Sequence, residues 1–169
     1  MRARLAALAL ALALAGCIPA PRPPLMAPAR PPAQALAPPP PAADWRDLPL
    51  TPGTWRYDRD ARGTVASFGE AGRAPLLLVR CDLPTRRVIL SLPGTAAGVM
   101  TVTTSYATAS WAATAEPGGR IAVALDARDP FLDKIAFSRG RFGLAMPGAP
   151  LLIVPAWAEP ARAIQDCRS

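Results

Sequence analysis

Short apolar runs separated by turn residues fill residues 44–169, and this pattern predicts strands. Turn signals stand at Pro52-Gly53 and Arg62-Gly63, where proline or glycine interrupts the apolar pattern. Strand signals that return about every eight to twelve residues are typical of antiparallel sandwiches and barrels. The predicted strands are 54–57, 64–68, 75–81, 87–92, 100–104, 108–113, 120–125, 141–145 and 151–154. We therefore expect a mainly β fold, an antiparallel β-sandwich or barrel-like domain.

The last residues of the chain predict a short C-terminal helix that closes the sheet. In "PAWAEPARAIQDC", Trp157, Ala161 and Ile164 fall on one apolar stripe of a helix. Pro160 has no backbone N–H to donate, so it must lie near the first turn of that helix.

Three carboxylates in "LDARDPFLDK" invite two interpretations. Asp129 can cap a second short helix whose first position suits Pro130. Asp126, Asp129 and Asp133 also suggest a calcium site, but their spacing differs from that of an EF-hand loop and no ligating Glu follows at the required distance. We expect a helix cap with solvated neighbours, and neither a metal site nor a cofactor.

The first sixteen residues have the pattern of a secretory signal peptide. Arg2 and Arg4 are followed by an apolar run over residues 5–14 and by the small residues Ala15 and Gly16. The run is shorter than the roughly twenty apolar residues that a membrane-spanning helix needs. Residues 1–16 are therefore predicted to direct export.

Residues 14–17, "LAGC", resemble the lipobox of bacterial lipoproteins. The resemblance implies cleavage just before Cys17 and lipidation of its thiol and new amino group, which anchors a chain stably once two acyl chains are present. Ile18 stands where an Asp tends to retain lipoproteins at the inner membrane, so the outer membrane is expected. The alternatives are an ordinary signal peptide that releases the protein, or a cytoplasmic protein with an apolar N-terminus.

Residues 18–43 form a proline-rich segment that separates Cys17 from the β-domain. Eleven of its 26 residues are proline, and only Arg22 and Arg30 are charged. Proline removes backbone donors, so a polyproline II spacer with a reach on the order of 80 Å is expected. A docking segment for a proline-recognising groove is the alternative.

The remaining cysteines, Cys81 and Cys167, are an even pair in an exported chain, where disulfides persist. We expect a disulfide between them. Two reduced buried thiols, or a redox pair, are the alternatives, although a redox pair usually has the Cys-x-x-Cys spacing.

The chain carries a positive net charge and offers few side chains for catalysis. The chain has no histidine, which excludes Ser-His-Asp and Cys-His catalysis within it. The net charge is +7, and +5 remains when Arg2 and Arg4 leave with the signal. Candidates for contact with an anion or a partner are Arg80, Arg86, Arg87, Arg139 and Arg141. The alternative is a solvated, arginine-rich surface; nucleic acid is not expected because Arg and Asp are interspersed.

Residues 129–167, "DPFLDKIAFSRGRFGLAMPGAPLLIVPAWAEPARAIQDC", are similar to the end of small exported domains of the invasion-associated locus B family. There a strand with a Gly-rich turn leads to an apolar strand and a closing helix. The resemblance implies an envelope or interaction protein and carries no catalytic residues, and this chain departs from the family in its lipobox and proline-rich segment.

Two functions remain at this point. The first is a noncatalytic, lipid-anchored envelope protein, facing the periplasm, whose β-domain binds or scaffolds an envelope protein or an anionic glycan. The second is an envelope hydrolase or enzyme inhibitor that acts through carboxylates. Convergent carboxylates in one cleft would favour the second.

Overall fold

The computed structural model describes residues 44–169; the signal, Cys17 and the proline-rich segment lie outside the described residues. The nine strands are β1 (Thr54–Asp60), β2 (Gly63–Gly69), β3 (Leu77–Asp82), β4 (Arg87–Pro93), β5 (Gly98–Thr103), β6 (Thr108–Glu116), β7 (Arg120–Asp126), β8 (Arg141–Ala145) and β9 (Leu152–Pro155). The helices are α1 (Pro130–Ala136) and α2 (Ala158–Asp166). The predicted mainly β fold with a short C-terminal helix is confirmed, and each predicted strand ends within three residues of an observed one.

All neighbouring strands are antiparallel, in the order β1-β2-β3-β4-β7-β6-β5-β8-β9. Strand β6 belongs to both halves of this sheet. Its first part, from Thr108 to Ala113, pairs with β5, and its last part, from Thr114 to Glu116, pairs with β7. The long strand therefore carries the sheet from one half to the other.

The two ends of the sheet meet through Trp55. Its buried indole N–H donates to the carbonyl oxygen of Pro155 at 2.8 Å, which joins β1 to β9. The Trp55 ring packs against Phe68, with 5.3 Å between centroids, and stacks on Phe142 at 6.4 Å. Just before β1, the Thr51 N–H donates to the carbonyl of Ile153 at 2.8 Å. The sheet is therefore curved and barrel-like.

The core lies inside this curve and is built by alternation along the strands. In β3, Leu77, Val79 and Cys81 are fully buried, whereas Leu78 and Arg80 between them are half-buried on the other face. This period of two is the spacing at which side chains of a strand return to one face.

Helix α1 begins as predicted and covers part of the core. Asp129 caps it, because its carboxylate accepts the N–H of Phe131 at 2.8 Å. Phe131, Leu132 and Ile135 are buried, and the Phe131 ring meets Trp111 of β6 edge-on at 5.0 Å.

Helix α2 packs on β1, β2, β3 and α1; its predicted apolar stripe is confirmed at Ile164, which is buried, and is wrong at Trp157. The buried residues are Pro160, Ala163 and Ile164, whereas Trp157 is 49% exposed. Trp157 is the extended residue before the first turn, so it does not follow the helical phase of the residues after it. Neither helix of residues 44–169 combines the length and the apolar character needed to cross a bilayer.

The predicted cysteine pair meets where α2 ends. Cys81 of β3 and Cys167 are both fully buried, with Sγ atoms 2.25 Å apart and Cα atoms 5.2 Å apart. The bond closes a loop between residues separated by 86 positions. In the chain-entropy model, a loop of this length stabilises the fold by roughly 4 to 5 kcal/mol before any strain.

We predict that intact-mass measurement of the purified chain will show a gain of two hydrogens on reduction, because one disulfide opens. Cys81→Ala/Cys167→Ala should lack this shift and should unfold at a lower denaturant concentration. Two thiols that alkylate freely in the native, non-reduced protein would contradict the assignment.

We also predict opposite effects for two buried threonines. Thr104 spans the β5–β6 turn: its hydroxyl donates to Ala107 O at 2.9 Å and accepts the N–H of Tyr106 at 3.2 Å. The Thr64 hydroxyl, also buried, has no hydrogen-bond partner among the described residues. Thr104→Val should lower the free energy of unfolding by about 1 to 3 kcal/mol, whereas Thr64→Val should raise it by about 1 kcal/mol. Urea denaturation measures both changes. Equal losses of unfolding free energy in the two variants would contradict this prediction.

Candidate functional site

The five candidate arginines do not converge on one site. Arg80, on β3, forms an ion pair with Asp60 at the end of β1, with Nη2–Oδ2 2.7 Å and Nη1–Oδ1 3.0 Å. The hydrogen bond from Arg80 is the largest cause that lowers the pKa of Asp60 from 3.8 to about 2. Arg80 therefore holds the β1–β2 turn to its neighbouring strand.

Arg86 and Arg87 also bond within the fold. Arg86, in the turn between β3 and β4 with φ of 54°, donates to the carbonyl oxygens of Ser169 at 2.5 Å and Arg168 at 3.3 Å. Arg87 donates to the carbonyl of Ala124 on β7 at 2.6 Å. These contacts brace the C-terminal residues and the β4–β7 pair.

Arg139 and Arg141 are brought together. They line one open cavity of about 360 Å³, which we call the arginine cavity. Its lining residues are Trp45, Arg46, Ser105, Arg139 and Arg141. Three guanidinium groups from two distant parts of the chain thus surround one space.

A short hydrogen-bond chain positions the β8 side of the arginine cavity. Ser138, buried behind it, donates its hydroxyl proton to the carbonyl of Arg141 at 2.6 Å and accepts the N–H of Ser105 at 3.0 Å. Ser105 in turn accepts the backbone N–H of Arg139 at 2.8 Å. The β5–β6 turn and the start of β8 are therefore joined at the wall of the cavity.

The opposite wall comes from the residues before β1. Arg141 donates through Nη1 to the carbonyl of Leu48 at 2.7 Å and so fixes this segment against β8. Arg46 lies over the Trp45 ring, 4.9 Å from its centroid, and pairs with Asp44 at 3.3 Å. Sequence reasoning missed Trp45 and Arg46; an aromatic residue beside a cation directly after a proline-rich segment was the available signal.

Arg139 is the least constrained of the three cations. Its side chain makes no hydrogen bond or ion pair with any described residue, and its guanidinium carbon lies 5.8 Å from the Tyr106 ring centroid. Both Arg139 and Tyr106 are exposed. Arg139 can therefore turn its donors to a ligand without breaking a contact of the fold.

The carboxylates proposed for calcium have separate partners. Asp126 accepts the backbone N–H of Arg128 at 2.9 Å, and Asp129 caps α1. Asp133 pairs with Arg168 at 2.6 Å. Among residues 44–169, no three ligating side chains group together.

Two carboxylates do share a cavity of about 290 Å³, which Asp60 and Asp166 line together with Thr64. Each is already engaged, since Asp60 pairs with Arg80 and Asp166 accepts the hydroxyl of Tyr57. The lowered pKa of Asp60 keeps it ionised at neutral pH, so it cannot donate a proton there.

An apolar groove of about 530 Å³ is a further concave feature, between the segment before β1 and the β8–β9 connection. It is lined by Pro49, Leu50, Thr51, Pro52, Leu76, Leu92, Pro93, Ala149, Pro150, Leu151 and Leu152. Leu50 and Leu151 are each 43% exposed at its rim.

We predict that Arg80→Met will change the acid stability of the protein. A pKa lowered to about 2 stabilises the fold at pH values above the unfolded value of 3.8, and this contribution disappears as the pH falls through about 2. The variant should lose the part of this contribution that Arg80 provides, and the pKa of its Asp60 carboxyl should rise toward the ordinary value, although the N–H groups of Arg62 and Gly63 still lower it. Carboxyl NMR titration and urea denaturation between neutral and acid pH measure the two effects.

Arg73→Met is the matched control, because Arg73 pairs with Glu70 at an exposed position and has no contact with Asp60. An Asp60 pKa equal in the wild type and Arg80→Met would rule out this role of Arg80.

Comparison with known proteins gives this chain no relative. No family model, curated protein or solved structure matches it. The resemblances of residues 14–17 and 129–167 stay predictions from the sequence, and the functional argument depends on the geometry of the site.

Proposed function

We propose that this protein is a lipid-anchored envelope protein whose β-domain is a noncatalytic binding module for an anionic envelope component. The arginine cavity is the observation that carries the proposal. Arg46, Arg139 and Arg141 line it, and among residues 44–169 Arg46 alone of the three forms an ion pair, with Asp44. Guanidinium groups with unused donors recognise anionic oxygens through charge-assisted hydrogen bonds.

The anchoring part of the proposal is supported by sequence. The pattern of residues 1–16 and the lipobox at Cys17 favour lipidation, and Ile18 favours the outer membrane with the domain in the periplasm. The proline-rich segment would then separate the β-domain from the membrane surface. The cysteine pair fits the same oxidising compartment.

A carboxylate-based hydrolase or inhibitor is less well supported. The cavity shared by Asp60 and Asp166 is the observation in its favour. Both carboxylates are occupied by Arg80 and Tyr57, whereas the Arg139 side chain has no such partner among residues 44–169. The binding module therefore requires less rearrangement of the fold.

We predict that Cys17→Ser will move the protein from the membrane fraction to the soluble periplasmic fraction, because the acceptor of the lipid is lost. Cell fractionation followed by immunoblotting measures the distribution. Cys81→Ser/Cys167→Ser is the control, since it removes two thiols but keeps Cys17 and should stay with the membrane. Detergent-dependent membrane association of Cys17→Ser would overturn the anchoring.

In-cell crosslinking of the anchored protein tests the binding part. An anionic envelope component should be trapped by the wild type and less by Arg46→Gln/Arg139→Gln. Equal crosslinking by the two proteins would count against the arginine cavity as the binding site.

A further inference from the structure

We propose that the arginine cavity binds a phosphate monoester carried on a sugar- or glycerol-sized group. The inference rests on the proposed binding function and names its ligand class. It starts from the kind of polar group that lines the cavity. The side chains of Arg46, Arg139 and Arg141 are donors only, because a guanidinium has five N–H groups and no acceptor.

Ser105 adds a further donor. Its Oγ accepts the backbone N–H of Arg139 at 2.8 Å, and its other side-chain contact among the described residues, with Ser138 Oγ, is 3.5 Å long. That distance exceeds the ordinary range for an O–H···O hydrogen bond. Ser138 directs its own proton to the carbonyl of Arg141 at 2.6 Å and its oxygen already accepts the N–H of Ser105 at 3.0 Å. The Ser105 hydroxyl proton is therefore available to a ligand in the cavity.

The charge favours a dianion over a single carboxylate. Three arginines line the cavity, and of these Arg46 alone pairs with a carboxylate of the described residues, that of Asp44, so positive charge is in excess at the cavity. A phosphate monoester carries a charge of about −1.5 to −2 near pH 7 and has three strong acceptor oxygens. A carboxylate offers one charge and two oxygens, and would leave donors of the cavity unused.

The size of the cavity implies a substituent on the phosphate. Its volume of about 360 Å³ falls within the range of roughly 300–1,000 Å³ that is typical of sites for small organic molecules, which is more than one phosphate group fills. The Trp45 ring lies beside Arg46 and the Tyr106 ring beside Arg139, with 4.9 Å and 5.8 Å between ring centroid and guanidinium carbon. A small sugar or glycerol can occupy the remaining space.

Two other basic or concave regions fit this ligand less well. The cavity lined by Arg86, Arg128 and Arg168 also contains Asp126, and two of its three arginines already donate to backbone carbonyls. The apolar groove presents few polar groups, and nothing in the described structure indicates what covers it.

The test uses the full chain with Cys17→Ser, so that attached lipid does not interfere. Isothermal titration calorimetry should detect binding of glucose 1-phosphate, weaker binding of inorganic phosphate and of glucuronate, and no binding of glucose. Arg139→Gln should weaken glucose 1-phosphate binding about tenfold or more, because a charge-assisted hydrogen bond is lost. Arg139→Lys should recover part of it, since the charge remains but the planar fork does not.

Arg128→Gln is the matched control, because it removes the same charge at the other basic cavity and should leave binding unchanged. Arg46→Gln provides a second variant should Arg139→Gln fold poorly, which circular dichroism will detect. Equal weakening by Arg128→Gln and Arg139→Gln, or no binding of glucose 1-phosphate and of phosphatidic acid vesicles, would overturn the proposal.

Vesicles distinguish the two sources of the phosphate monoester. Cosedimentation with phosphatidylcholine vesicles containing phosphatidic acid, and not with those containing phosphatidylglycerol, assigns the ligand to a lipid headgroup. Binding of glucose 1-phosphate without vesicle binding supports a soluble phosphorylated sugar. Failure of these assays refutes the ligand class alone, whereas the fractionation of Cys17→Ser tests the anchoring independently.

Discussion

The indole of Trp55 connects the first and last strands of the sheet, and the remaining structure depends on this contact. Its N–H donates to the carbonyl of Pro155 inside the core, where an unpaired donor would cost about 1 to 3 kcal/mol. Its ring also packs between Phe68 and Phe142, from opposite ends of the strand order. One side chain on β1 therefore supplies a polar contact to the end of β9 and apolar contacts to β2 and β8.

The arginine cavity is a consequence of that closure. Because β1 lies against β9, the residues that precede β1 must pass beside β8, where Arg141 donates to the carbonyl of Leu48. Trp45 and Arg46 then reach the same space as Ser105 and Arg139, although about 60 to 90 residues separate them along the chain. The cavity is thus built from the seam of the sheet and the turns at its border.

The number of strands and most of their bounds were predictable, because most strands are short, apolar and followed by Gly, Pro or charged residues. The cap at Asp129 was predictable for the same reason: it depends on local chemistry. The buried face of α2 was not predictable in the same way. Trp157 fits the apolar spacing of the helix, but it lies before the first turn. The ion pairs of the arginines were the hardest feature to predict from the sequence. The fold places Asp60 beside Arg80 but places no such partner among the described residues beside Arg139, and this difference depends on the tertiary structure.

The disulfide divides the arginine cavity into two mechanically different halves. Ser105, Arg139 and Arg141 lie within the covalent ring closed by Cys81 and Cys167, whereas Trp45 and Arg46 lie outside it. A pulling force that enters the domain at residue 44 therefore acts first on the wall outside the ring, which the Arg141–Leu48 hydrogen bond holds. Under load, the cavity would open before any strand inside the ring has to unfold.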